Sequence, residues 1–179
     1  MALDYDPAFK KGNYPGFSST KPLAVPGIEE TVSRIVGRRL TPAPRTMHGH
    51  CRVALRTDKG VTGVHIDPCA WSGILYLTLP QHCKGGTDFF RHRPTGLDRI
   101  PSDAMTLASA GFGAIDEAVE KIVNNDTNKP ARWEKYFPAP MRFNRLILFS
   151  PWMFHNSASG FGDQPSNGRL IQTLFFAAA

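Results

Sequence analysis

Four residues carry the chemistry this chain could do: His65 and Asp67 in "GVHIDP", His155 in "WMFHNS" and Arg169 in "GRLIQT". Side chains alternate along a strand with a period of two, so His65 and Asp67 share a face, and Pro68 ends their segment by removing a ladder donor. By itself that spacing fits a polar pair at a sheet edge as readily as two metal ligands. His155 supplies a third donor. Two imidazoles and one carboxylate leave coordination positions open, a set suited to non-haem Fe(II) with a chelating cosubstrate and O2. Arg169 follows His155 by fourteen positions, a spacing that neighbouring strands can bring into one pocket. Its guanidinium fork suits a distal carboxylate held by two parallel hydrogen bonds.

The elements that must position these residues are short apolar runs broken by turn residues. "CRVAL", "GVHI", "GILYLTL", "TDFFRH", "RLILFS" and "RLIQTLFF" read as strands, rich in branched and aromatic side chains. Ahead of them, residues 1–26 carry Pro7, Pro15, Gly16, Pro22 and Pro26 and read as an irregular lead-in. A helix is predicted over 27–39, with Ile28, Val32, Ile35 and Val36 on one stripe. Residues 94–142 read as a mostly helical insertion, with the helical pattern running from about 102 to 137 and clearest in "AIDEAVEKIVNN". The glycines of "AGFGAID" follow no strand and lack the third glycine of a nucleotide loop, so they read as a helix start. The whole is expected to be one domain over 1–179, mainly β with flanking helices (α+β), built as a barrel or sandwich.

Composition narrows the class without choosing the function. With 179 residues the chain can bury a proper core, and 41% hydrophobic, 11% aromatic and 20% charged residues are ordinary globular values. No apolar run reaches transmembrane length and the N-terminus has no hydrophobic leader, so a soluble, cytoplasmic protein with no membrane partner is expected. The charge of +6 and pI near 9.5 favour anions. The basic residues are dispersed, as in Arg38-Arg39 and Arg91-His92-Arg93, so a solvated surface is favoured over a nucleic-acid stripe. Cys51, Cys69 and Cys83 form neither a C-x-x-C nor an even set, which fits a reducing compartment.

Five elements in order resemble the 2-oxoglutarate/Fe(II)-dependent oxygenases, specifically their prolyl-4-hydroxylase-like branch: "HID", "GILYLT", "GGTDFF", "RLILFSPWMFH" and "GRLIQTLFF". The resemblance covers about residues 46–176. "YPG" near residue 14, "GGTDFFRHRPTG" and "NRLILF" are similar to a bacterial set within that superfamily. The resemblance implies a double-stranded β-helix, a jelly-roll or cupin-like barrel. It implies Fe(II) bound by His65, Asp67 and His155, and 2-oxoglutarate with its C5 carboxylate on Arg169. Tyr76 would donate its phenol to the same carboxylate and face the same pocket, and Thr173, four after Arg169, would border the cosubstrate. Thr78 stands where the family's Y-L-N strand has Asn. The implied reaction is O2-dependent hydroxylation of a C–H in an amino acid, a peptidyl residue or a small metabolite, with release of succinate and CO2.

Two other functions fit the same fold: a non-catalytic double-stranded β-helix that binds a partner, and a dioxygenase that demethylates nucleic acid. The second lacks an aromatic-plus-basic strip on which bases could stack. His48 and His50 in "MHGHC" read as strand-edge histidines, since a cupin motif needs a Glu shortly after and none occurs between Glu30 and Glu117. His82, Cys83 and His92 read as exposed. Tyr76 on its own reads as core, and Trp71, Trp133, Trp152 and Phe154 as core or pocket lining. The insertion and the mouth loops are expected to select the substrate. The sequence is silent on oligomeric state.

Overall fold

A computed structural model describes residues 4–5 and 13–179. Residues 1–3 and 6–12 of the expected lead-in, Pro7 among them, lie outside the described residues. In chain order the described strands are β1 (Phe17–Ser18), β2 (Leu40–Pro42), β3 (Cys51–Ala54), β4 (Trp71–Tyr76), β5 (Gly86–His92), β6 (Trp133–Pro140), β7 (Arg145–Phe149), β8 (His155–Ser157) and β9 (Arg169–Ala178). They form two antiparallel sheets, one ordered β1-β3-β9-β4-β7 with β2 also on β9, the other β6-β5-β8. The protein is mainly β.

Alternation along β9 sets the architecture. Leu174 and Phe176 point to one face, where Val32 and Val36 of helix α1 (Ile28–Val36) pack with Trp71, Leu146 and Leu148. Arg169, Ile171 and Thr173 point to the other face and line a cavity. The large sheet is therefore buried on both sides, and each apolar side chain fully buried against α1 contributes about 1.5–3 kcal/mol. Gly27 and Gly37 bound the helix in left-handed conformations, so it is shorter than the predicted 27–39. Ile35, placed on the apolar stripe by periodicity, is 65% exposed, because the core lies on the Ile28–Val32–Val36 line.

The small sheet is also covered on its outer face. Val64, Phe90 and Phe154 pack there against Leu107, Phe112, Ile122 and Val123 of the insertion, with Trp133 at its edge. The insertion departs from the mostly helical expectation. It holds α2 (Ala104–Ser109) and α3 (Ile115–Ala118), which widens into a π turn over Val119–Asn124. It then ends in β6, where a helix was expected to reach 137. "WEKYFPAP" pairs as an edge strand with β5, and its prolines are tolerated because the edge needs no further ladder donors. No residue of 94–142 lines the cavity, so the insertion supports the site from behind and does not form its mouth.

His92 is buried, contrary to the exposed position expected from its arginine neighbours. Its Nε2 lies 3.0 Å from Asp126 Oδ2 and its Nδ1 3.0 Å from Thr95 Oγ1. Asp126 also receives Lys129 and Arg132, tying the end of β5 to the end of the insertion's helical part. Among the described residues no helix is long and apolar enough to cross a membrane.

Candidate metal centre

The two candidate imidazoles are placed by a single cross-strand pair. His65 and His155 form an antiparallel bridge in which each amide donates to the other's carbonyl at 3.0 Å. Residues directly opposite on such a pair project to the same face. The predicted strand "GVHI" reduces to this bridge. Gly63 before it packs so closely on the Thr127 carbonyl that a Cβ would sit 2.0 Å away, and Pro68 follows. Asp67, two residues on, returns to the same face, with its amide bonded to the Pro151 carbonyl at 3.0 Å.

Donor atoms of His65, Asp67 and His155 all lie within 4.8 Å of one another. Asp67 Oδ2 is 3.3 Å from His155 Nε2, and Oδ1 is 3.8 Å from His65 Nε2. Donors about 2.1 Å from a common ion at right angles would lie about 3 Å apart, so small rotations close the site around a metal. The Nδ1 atoms are held by backbone carbonyls, His65 by Gly63 at 3.0 Å and His155 by Met153 at 2.8 Å. That arrangement places the proton on Nδ1 and turns each Nε2 lone pair inward. Ser72 Oγ donates to Asp67 Oδ2 at 2.6 Å and orients the carboxylate.

Burial governs the charges here. Loss of solvation, reinforced by the neighbouring His155, pushes the His65 pKa down to about 4, so the ring is neutral and can ligate at neutral pH. Burial alone would raise the Asp67 pKa, but the adjacent imidazoles of His155 and His65 and the Ser72 hydroxyl hold it below the ordinary carboxylate range. The triad can hold a divalent cation.

The surrounding cavity has a volume of about 280 Å³. Arg169 reaches it from β9 and is only 2% exposed, with Nη2 donating to the Gly86 carbonyl at 3.1 Å and Nε left without a partner. A glycine is required at 86 because a Cβ there would lie 1.9 Å from the Ala139 carbonyl of β6. The Gly86 carbonyl also receives the amide of Ala158, three residues beyond His155. At about 3.3 Å per residue, the guanidinium stands roughly 10 Å along the strand from His155. Loss of solvation brings its pKa down to about 10.

Thr173 also borders the cavity, but its hydroxyl donates to the Met47 carbonyl at 2.8 Å and pins the 45–47 loop. Tyr76 is not on the lining. Its phenol donates to Thr87 Oγ1 at 2.8 Å and to the Ala139 carbonyl at 3.3 Å, in the fully buried layer beyond Ile74. It shares a β4 face with Ser72 and Ile74, and its phenol lies near enough to the Arg169 guanidinium for the two to interact electrostatically.

Among the lining residues that escaped the sequence reading are Tyr14, Arg45, Arg52 and Ser72. The signal for Arg52 was a charge in the otherwise apolar "CRVAL". Tyr14 is brought in by Gly16, whose left-handed backbone lets the chain pass so near β3 that a Cβ would lie 2.0 Å from the Val53 carbonyl. His48 and His50 sit in a turn and not on a strand. His48 Nδ1 meets the Phe175 carbonyl and His50 Nδ1 the Ser19 carbonyl, so neither reaches the triad.

Fold and site together define a mainly β protein with a buried His-Asp-His cluster able to hold a metal. Over residues 2–176 the chain matches a family of unknown function, DUF6445, and it belongs to that family. No curated protein matches it.

Proposed function

We propose that this protein is an Fe(II)- and 2-oxoglutarate-dependent dioxygenase that hydroxylates a C–H bond. The observation that carries the reading is the coexistence, on one cavity, of the His65–Asp67–His155 cluster and the buried, partly unsatisfied Arg169. The donor set suits Fe(II) with open positions. The orphaned Nε, together with a desolvated guanidinium with which no carboxylate forms an ion pair among the described residues, suits an incoming carboxylate. The roughly 10 Å offset between Arg169 and His155 suits an extended five-carbon dicarboxylate.

The strand order supports the same reading. After β1 and β2, successive segments fall in the large sheet (β3), the small (the His65 bridge), the large (β4), the small (β5, β6), the large (β7), the small (β8) and the large (β9). That alternation is what a double-stranded β-helix requires.

Bound iron and 2-oxoglutarate would supply the oxidation, converting O2, 2-oxoglutarate and a substrate C–H to C–OH, succinate and CO2. The chain's part is positional. His65, Asp67 and His155 would hold the metal, the Nδ1-to-carbonyl bonds and Ser72 fix their orientation, and Arg169 would hold the distal end of the cosubstrate. The apolar walls from Ile74, Phe149 and Ile171 exclude water. The test is succinate formation by the purified protein supplied with Fe(II) and 2-oxoglutarate, with Asp67→Ala as control. Saturable Mn(II) binding and succinate above background, both lost in the variant, are expected. Succinate formation undiminished in Asp67→Ala would refute the triad, and absence of Mn(II) binding by the wild type would refute the reading.

A further inference from the structure

With Arg169 given to the cosubstrate, the cavity retains a second inward-facing arginine. Arg52 lies on β3 in register with Ile171 of β9, so its side chain enters from the strand beside that of Arg169. Its Nη1 donates to the carbonyls of Tyr14 at 3.1 Å and Pro15 at 3.4 Å. Its Cζ stands 5.5 Å from the centre of the Tyr14 ring, and that ring lies 5.0 Å from the ring of His65. The guanidinium is thus fixed at one nitrogen and stands two ring contacts from a ligating imidazole.

Among the described residues no carboxylate forms an ion pair with Arg52. The lining carries three arginines, Arg45, Arg52 and Arg169, against one carboxylate, Asp67, which belongs to the metal cluster. A cosubstrate on Arg169 and the metal leaves Arg52 uncompensated on the same cavity, into which the primary substrate must bring its C–H. A desolvated guanidinium there is most stable with an anion against its free edge.

We propose that Arg52 anchors a carboxylate of the primary substrate, which makes that substrate a small molecule with a free carboxylate, such as an amino acid or a hydroxy acid. The inference rests on the dioxygenase reading for the reaction, and on the cavity's charge for the substrate class. An uncharged residue inside a peptide would leave Arg52 unpaired. The ring of Tyr14 gives the guanidinium an aromatic wall, with Cζ 5.5 Å from its centre.

The experiment titrates full-length wild type, Arg52→Gln and Arg52→Lys, loaded anaerobically with Mn(II) and 2-oxoglutarate, by calorimetry. The titrants are the L-amino acids and a set of 2-hydroxy acids, each beside its primary amide. At least one acid is expected to bind wild type, and its amide at least about tenfold more weakly. Arg52→Gln should weaken the acid about ten- to hundredfold, and Arg52→Lys should recover part of the loss, with Mn(II) and 2-oxoglutarate affinities unchanged. The proposal is overturned if amides bind as well as acids, if no acid binds, if Arg52→Gln binds the acid normally, or if Arg52→Gln loses 2-oxoglutarate instead. Should Arg52→Gln fail to fold, the wild-type comparison of acid with amide decides. Failure of wild type to bind 2-oxoglutarate counts against the dioxygenase reading alone, and the same comparison with Mn(II) alone then tests Arg52.

Discussion

Replacing Arg169 with Met is expected to stabilise the ligand-free protein while abolishing its response to 2-oxoglutarate. The guanidinium is buried with one hydrogen bond to a backbone carbonyl and a bare Nε, and burial brings its pKa down to about 10. A cation whose folded pKa lies below its unfolded one destabilises the fold wherever both states are protonated. That cost fades only as pH rises from about 10 through the ordinary guanidinium range. At 1.36 kcal/mol per pKa unit it is about 3 kcal/mol at neutral pH. Met removes the charge and fills much of the space, while loss of the Gly86 bond returns about 1 kcal/mol. The net gain of about 2 kcal/mol corresponds to a Tm higher by about 4–8 °C for a chain of this size. 2-Oxoglutarate acts in the opposite sense, since a hundredfold excess over Kd should stabilise wild type by about 2.7 kcal/mol and leave the variant unmoved. Urea unfolding and thermal melting, with and without Mn(II) plus 2-oxoglutarate, measure both effects. A ligand-free variant less stable than wild type by 1 kcal/mol or more would refute the reasoning, by showing the guanidinium to be a satisfied structural group.

Ser72→Ala should leave the fold intact and weaken Mn(II) binding about 10–100-fold, because Asp67 loses the 2.6 Å bond that orients it; a metal titration checks this. In the metal-free protein, the His65 pKa near 4 lies below its ordinary 6.5, so the unfolded chain takes up that proton first and stability falls as pH drops from 6.5 to 4. The loss assigned to this group is about 3 kcal/mol, read by urea unfolding at stepped pH. Asp126→Ala strips the buried His92 of its partner and should cost about 3 kcal/mol. Mn(II) affinity measured below the melting transition should not change, because the insertion lies behind the small sheet and off the cavity.

The longer strands were legible in the sequence because apolar runs bounded by turns need little tertiary context: "CRVAL", "GILYLTL", "TDFFRH", "RLILFS" and "RLIQTLFF" overlap β3, β4, β5, β7 and β9. The short strands β1, β2 and β8 were not, since two or three residues carry no period. β6 was missed because Glu134 and Lys135 blur its alternation and the helical pattern of 115–124 runs toward it. Periodicity placed Asp67 beside His65 but said nothing of His155, whose position is set by a bridge across the sheet. Arg52 and Tyr14 needed more still, the register of β3 on β9 and the close passage at Gly16. Tyr76 was singled out by the resemblance and not by period, and its hydrogen bonds to Thr87 and Ala139 could be read only from the fold.

The paired amides of His65 and His155 have a consequence for how the protein breathes. Segment 60–67 is held to β8 by this one bridge, and its two amide protons can exchange with solvent only when the segment lifts away. An ion gripped by both imidazoles spans the same seam, so separating the strands would also require breaking its coordination. Hydrogen–deuterium exchange at these two amides should therefore slow with metal concentration as the linkage relation dictates, while amides in the middle of β9 keep the rate of global unfolding. The seam that builds the site also reports its occupancy.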